Sequence, residues 1–183
     1  MQRRIIIAAG HGNKDNGATG QGTTEAAQVI DIVNRTANKL RADGQLEVVV
    51  VPHELDLMDE INWVNARYKN IEDGYSLEIH KNAGAGGHGV EMWYYSGDAQ
   101  SQAYAQSLID KLAPISGLPN RGVKGDATNR WGRLGWIRDT NTWAGLAECG
   151  FITDGGDHLD NEKYAKGLFE GILNLWRLTP KRR

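Results

Sequence analysis

Two histidines and a glutamate that end or interrupt short apolar runs, and a second glutamate that opens a helical stretch, are the residues of this chain best suited to chemistry. His11 leaves the run Ile5 to Ala9 between Gly10 and Gly12, glycines that let backbone and ligand approach closely. Glu25 opens a helical stretch after a glycine-rich loop, His80 ends the run Leu77-Glu78-Ile79-His80, and Glu148 interrupts the apolar run Leu146 to Gly150. Two imidazoles and one carboxylate form a common first shell for catalytic zinc and leave one coordination position open. A buried carboxylate without a partner is costly, so Glu148 must face a cation, a cavity or a hydrogen-bond donor. Beside a metal it could take a proton from attacking water and pass it to a leaving amine.

Spacing alone leaves other readings open. Five histidines offer several pairs, and a lone histidine is more often packed or hydrogen-bonded than a ligand. An ion pair with Arg121 would satisfy Glu148 equally well. The glycine-rich loop before Glu25 could cradle a phosphate, but no Lys-Ser/Thr pair closes it and the Glu25 charge would repel the anion. Alternation along a strand turns Cys149 to the face opposite Glu148, as a buried, inert thiol.

The elements that must position these residues follow from periodicity. Ile5 to Ala9, Glu47 to Val51, Ser76 to His80 and Leu146 to Gly150 read as strands. Between Glu25 and Arg41, residues Ala27, Ile30, Val33, Ala37 and Leu40 share a helical face; Thr23 or Thr24 caps its start and Gly44 stops it. Further helical stripes run Ile61-Val64-Tyr68-Ile71, Tyr104-Leu108-Ile109-Leu112 and Tyr164-Leu168-Ile172-Leu175. Strands alternating with helices predict a single α/β domain, with a mostly parallel or mixed twisted sheet of about six strands and helices on both faces. Glycines cluster at Gly10 to Gly22 and Gly84 to Gly89, each after a predicted strand, where open α/β sheets bind ligands. If the first and third predicted strands are neighbours, His11, Glu25 and His80 can meet.

The 183 residues, 40% of them hydrophobic, suit one compact domain, set at 1–178 with a basic tail at 179–183. A net charge of -2 predicts neither nucleic acid nor acidic membrane as partner. Lys181-Arg182-Arg183 reads as a solvated tail, and the single Cys149 excludes an internal disulfide. The five-residue apolar run near the N-terminus is too short for a signal peptide, and no segment approaches the length of a membrane helix. The expectation is a monomer made in the cytoplasm and released at lysis, or a domain cut from a secreted protein.

In order along the chain, Gly10-His11-Gly12, Gly17-Ala18-Thr19-Gly20, Glu25, Ile79-His80-Lys81-Asn82-Ala83 and Glu148-Cys149-Gly150-Phe151-Ile152 resemble the motifs of the zinc-dependent N-acetylmuramoyl-L-alanine amidases of the type 3 family. The resemblance runs from about Ile5 to Trp176, and Arg67 and Asn120 to Lys124 share in it. It implies that His11, Glu25 and His80 hold Zn2+, that Glu148 is the catalytic glutamate, and that the substrate is the peptidoglycan amide between the lactyl group of muramic acid and L-alanine, as in phage endolysins. The departures are Ala8-Ala9 for the usual Asp-Pro, Glu78 for the usual Ser, and Val51-Pro52-His53-Glu54 for a Thr-Arg pair. Residues 131–143, rich in tryptophan, fit either a substrate-facing loop or local packing. His88 reads as a loop histidine at the cleft, and Asp157, beside His158, as a helix cap. Two other readings keep the same residues: a zinc peptidase cutting elsewhere in the stem peptide, and a wall-binding module that does not cut.

Overall fold

A computed structural model describes residues 2–12, 15–130, 132–153, 157 and 159–181. Trp131, His158, Arg182 and Arg183, singled out above, lie outside the described residues. Along the chain the strands are β1 (Arg4–Ala9), β2 (Thr19–Gly20), β3 (Thr23–Thr24), β4 (Glu47–Val50), β5 (Tyr75–Asn82), β6 (Val90–Tyr94), β7 (Asn120–Gly125) and β8 (Trp143–Phe151). The helices are α1 (Glu25–Asp43), α2 (Leu57–Arg67), α3 (Ala99–Ser116), α4 (Gly135–Asp139) and α5 (Asn161–Leu175).

Six strands form one sheet in the order β4-β1-β5-β8-β6-β7, with β2 and β3 pairing separately as a small hairpin. β4, β1, β5 and β8 run parallel, β6 runs antiparallel to β8, and β7 is parallel to β6. The expected first and third strands, β1 and β5, are neighbours, paired from Ile5↔Tyr75 to Ala9↔Ile79. Alternation divides their side chains between two cores. Ile5, Ile7, Leu77, Ile79 and Cys149 pack with α1, α3 and α5 on one face. Ile6, Ala8 and Leu146 pack with Ile61 and Val64 of α2 and with Trp136 and Ile137 of α4 on the other. Each fully buried Ile or Leu stabilises the fold by roughly 1.5–3 kcal/mol in transfer free energy.

Local signals set the helix ends. The Thr24 side chain accepts from Ala27 N–H at 3.2 Å, and Gly44 leaves α1 with φ +71°, a conformation that disfavours any Cβ. Asp56 caps α2 in the same way, accepting from Asp59 N–H at 3.0 Å. The second predicted stripe overruns: α2 stops at Arg67, Tyr68 is extended, and Ile71 falls in a 3₁₀ turn with 47% of its surface exposed. There Asp73 Oδ2 accepts from the N–H groups of Lys69 and Asn70, giving the backbone partners other than a further helical turn.

β6 and β7 carry no expectation from the sequence reading. Val90-Glu91-Met92-Trp93-Tyr94 alternates weakly because Glu91 is buried among apolar neighbours, and Asn120-Arg121-Gly122-Val123-Lys124-Gly125 is largely polar at the sheet edge. No helix among the described residues is long and apolar enough to cross a membrane. Past α5 the chain is tied to the end of α1 and the turn after it: Lys181 N–H donates to Asp43 Oδ1 at 2.7 Å, and Gln45 Nε2 donates to Thr179 O at 2.8 Å.

Candidate metal centre

Three adjacent parallel strands deliver the histidines and Glu148 to one place. Gly10, just past β1, donates its N–H to Ile79 O of β5 at 2.8 Å, so His11 emerges beside the end of β5. His80 of β5 stands directly opposite Glu148 of β8 in the register. The loop after β1 returns to the start of α1: Glu25 N–H donates to Ala18 O at 2.8 Å, and Ala18 N–H donates to Glu25 Oε2 at 3.1 Å.

His11, Glu25 and His80 each offer one ligand atom, and these atoms all lie within 4.8 Å of one another. Glu25 Oε1 is 3.2 Å from His80 Nδ1 and 3.4 Å from His11 Nε2, and it accepts from Lys81 N–H at 3.0 Å. The two imidazoles stand edge to face, 83° apart, with centroids separated by 5.1 Å. Their remaining nitrogens meet further carboxylates. His11 Nδ1 is hydrogen-bonded to Asp15 Oδ2 at 2.8 Å, and His80 Nε2 lies 3.2 Å from Glu78 Oε2. Carboxylates in those positions orient a metal-binding imidazole and select the tautomer that leaves the other nitrogen free.

The backbone makes room at two glycines. A Cβ on Gly10 would fall 2.1 Å from the His80 ring. One on Gly17, whose φ is +61°, would fall 2.7 Å from His11 and 2.8 Å from Glu25.

Electrostatics of the group favour a cation. The hydrogen bond that the His11 imidazole donates to Glu25 leads the effects that raise the pKa of His11. Burial would lower that of His80, but Glu78, Glu25 and Glu148 together lift it well above its ordinary value. Burial would raise the pKa of Glu25, yet the two imidazoles bring it far below the carboxylate range. The cluster therefore pulls positive charge into itself, whether as protons or as a metal ion.

Glu148 differs. Its Oε2 is buried with no hydrogen-bond partner, and burial pushes its pKa up to about 7. The expected alternative, a pair with Arg121, is not made: Arg121 Nε donates to Glu91 Oε2 at 2.7 Å, and Lys124 Nζ joins it at 2.5 Å. Glu148 instead lines a cavity of about 340 Å³ together with His11, Glu78, His80 and Trp136. Cys149 is buried on the opposite face, where burial pushes its thiol up to about 12.

Several side chains have other places than the sequence suggests. Asp157 does not cap α5; Asp160 does, accepting from Lys163 N–H. Asp157 is buried and accepts from Phe151 N–H at 2.6 Å, from Gly89 N–H at 3.0 Å and from His88 Nδ1. His88 thus has a fixed partner in a clasp between two loops, and residues 84–89 line neither cavity bordering His11. Trp136 is a core residue, 1% exposed, with one side on the cleft, while Trp143 packs edge to face on Tyr104. His53 is held under Gly12, and burial lowers its pKa.

Sequence reasoning passed over Asp15, and it treated Glu78 only as a departure from pattern. The signal for Glu78 was present: two residues before His80 on one strand means the same face. Glu60 was also missed, although it sits four residues before Val64 on the inward side of α2.

A family profile described as N-acetylmuramoyl-L-alanine amidase matches residues 5–174. The N-acetylmuramoyl-L-alanine amidase LytC of Bacillus subtilis is 29% identical over 94% of this chain, which spans 35% of that longer protein. The endolysin of Bacillus phage SPP1 is 28% identical over 99% of this chain and 69% of its own length. Among solved structures, the catalytic domain of the amidase CwlV from Bacillus (Paenibacillus) polymyxa var. colistinus superposes with a TM-score of 0.81 at 23% identity, covering 96% of this chain and 99% of that one. That likeness shows the fold alone. The catalytic domain of the CD27L endolysin targeting Clostridia difficile gives a TM-score of 0.72 at 27% identity over 94% of this chain and 98% of its own.

Proposed function

We propose, from the premise that this chain belongs to the N-acetylmuramoyl-L-alanine amidase family, that it hydrolyses the amide joining the lactyl group of muramic acid to the L-alanine of the peptidoglycan stem peptide. The observation that carries the reading is the convergence of one ligand atom each from His11, Glu25 and His80, with Glu148 opposite His80 on the next strand. Two imidazoles and a carboxylate suit zinc, and the Asp15 and Glu78 contacts that leave His11 Nε2 and His80 Nδ1 turned toward Glu25 fit that ion. Zinc held there supplies a Lewis acid to the scissile carbonyl and lowers the pKa of water.

The protein's own residues do the rest. Glu148 accepts the proton of the attacking water at its unpartnered oxygen, then gives it to the alanine nitrogen, which must be protonated to leave. Glu25 stays ionised between the imidazoles and holds them edge to face. Trp136 and Leu146 wall the cleft beside Glu148.

The test is zinc content per chain, for wild type and Glu148→Gln, together with lysis of purified peptidoglycan and identification of the new ends. About one zinc in both proteins is expected, with L-alanine amino termini released by wild type only. New ends elsewhere in the stem peptide would make the enzyme a peptidase. Binding to wall with neither zinc nor new ends would make it a binding module.

A further inference from the structure

A second cavity, about 400 Å³ in volume, opens on the other side of His11, between the loop after β1 and the first turns of α2. It shares Gly10, His11, Asp15 and Leu57 with the cleft that holds Glu148, so the two form one groove passing the metal centre. Its walls combine two kinds of surface. Leu55 and Leu57 are apolar, whereas Asp15, Asp56 and Glu60 bring carboxylates, and His11 is the one basic side chain among the lining residues.

Glu60 is the informative member. It is 4% exposed, lies on the inward side of α2 beside Ile61, and its carboxyl receives no hydrogen bond and makes no ion pair with any described residue. A carboxyl held out of bulk water without a donor is costly. Burial and the nearby Glu78 push its pKa up to about 8. A carboxyl kept in such surroundings, at the edge of an active-site groove, is matched by a group that arrives with the ligand. The surroundings define that group: positive, to suit Asp15, Asp56 and Glu60; rich in donors, to satisfy an acceptor lacking any; and carried on methylenes, to cover Leu55 and Leu57. A carboxylate of the substrate would be repelled by the same walls.

We propose that this pocket is the subsite for a side-chain ammonium of the stem peptide, the free amine of its diamino acid, with Glu60 as terminal acceptor and Asp56 at the rim. The assignment rests on the muramoyl-peptide reading above. It makes Glu60 a specificity residue that selects stem peptides whose amine is unblocked. Uncross-linked peptides, or the acyl-donor peptide of a cross-link, which keeps its own amine free, would be cut in preference to peptides whose amine has been acylated.

The experiment compares a soluble muramoyl peptide carrying the free amine with the same peptide N-acetylated at that amine. Wild type is expected to show KM raised roughly 10- to 100-fold by acetylation with kcat little changed, the effect of losing one charge-assisted contact. Glu60→Gln, an isosteric change, and Glu60→Met should raise KM for the free amine to the level of the acetylated peptide and respond no further to acetylation. Equal KM values for both peptides in wild type, or equal losses on both in the variants, would overturn the subsite. If wild type cleaves neither peptide, the amidase reading fails by itself. Equilibrium binding of the two peptides to Glu148→Gln then decides the pocket separately: preference for the free amine supports it, and indifference overturns it.

Discussion

Glu25 and Glu148 are two carboxylates beside one imidazole, that of His80, yet the fold treats them oppositely. Glu25 receives two backbone N–H groups and lies against both histidines, so it stays ionised in spite of burial. Glu148 keeps a buried oxygen with no partner, and burial raises its pKa to about 7. Depth in the protein is not what separates the two acids; the nitrogen atoms aimed at each carboxylate are. Glu60 extends the contrast, as a third buried acid, one whose carboxyl has no donor among the described residues.

The sharpest way to break the comparison is to remove the space that permits it. Gly10→Ala would drive a methyl into the His80 ring, so bound zinc and lysis of peptidoglycan should both fall to background, checked by metal content and turbidity loss. Next, Glu25→Gln and Glu148→Gln should part company. The first should lose zinc affinity by more than about 100-fold in a chelator competition. The second should leave affinity nearly unchanged while turnover drops by roughly 10²–10⁴. Equal metal loss in both variants would end the distinction.

A smaller effect is expected at Glu78, which carries no ligand atom of the proposed centre. Glu78→Ser frees His80 Nε2, and zinc affinity should fall about 10- to 100-fold with kcat recovered at saturating zinc. Unchanged affinity would reduce Glu78 to packing.

The smallest effect is on stability. The folded pKa of Glu60, about 8, lies above its ordinary 4.5, so the folded state holds this proton more tightly than the unfolded chain. The stabilisation is complete below about pH 4.5 and is lost as pH rises through 8. Glu60→Gln should therefore raise Tm by several degrees at pH 9 and hardly at all at pH 4, as read by thermal denaturation. A gain of equal size at both pH values would show that charge is not the cause.

Much of this was legible in the residues alone. Short apolar runs ending in glycine and histidine marked β1 and β5, and the Thr24 and Gly44 signals bounded α1, because strand alternation and helix capping are local physics. The two histidines and Glu148 needed only two facts of topology to become neighbours, β1 lying next to β5 and β5 next to β8, and Glu25 needed the loop after β1 to return to the start of α1. The same local rules erred where a distant group decided the outcome. Asp157 has the composition of a helix cap, but the N–H groups of Gly89 and Phe151 claim it. Arg121 could have paired Glu148, but β6 sets Glu91 in its path.

By itself the sequence determined the α/β alternation, the strand ends where chemistry can be presented, and the residue types suited to a metal and a proton carrier. These depend on periods of two and 3.6 residues and on the chemistry of single side chains. Only the tertiary structure decided which acid receives donors and which is left without. It sets Glu25 between His11 and His80, aligns Glu78 behind one imidazole and Asp15 behind the other, and turns Glu60 toward a groove. The physical reason is that a carboxyl group's proton affinity depends on charges and donors within a few ångströms, and here those come from residues up to 123 positions away, the separation between Glu25 and Glu148.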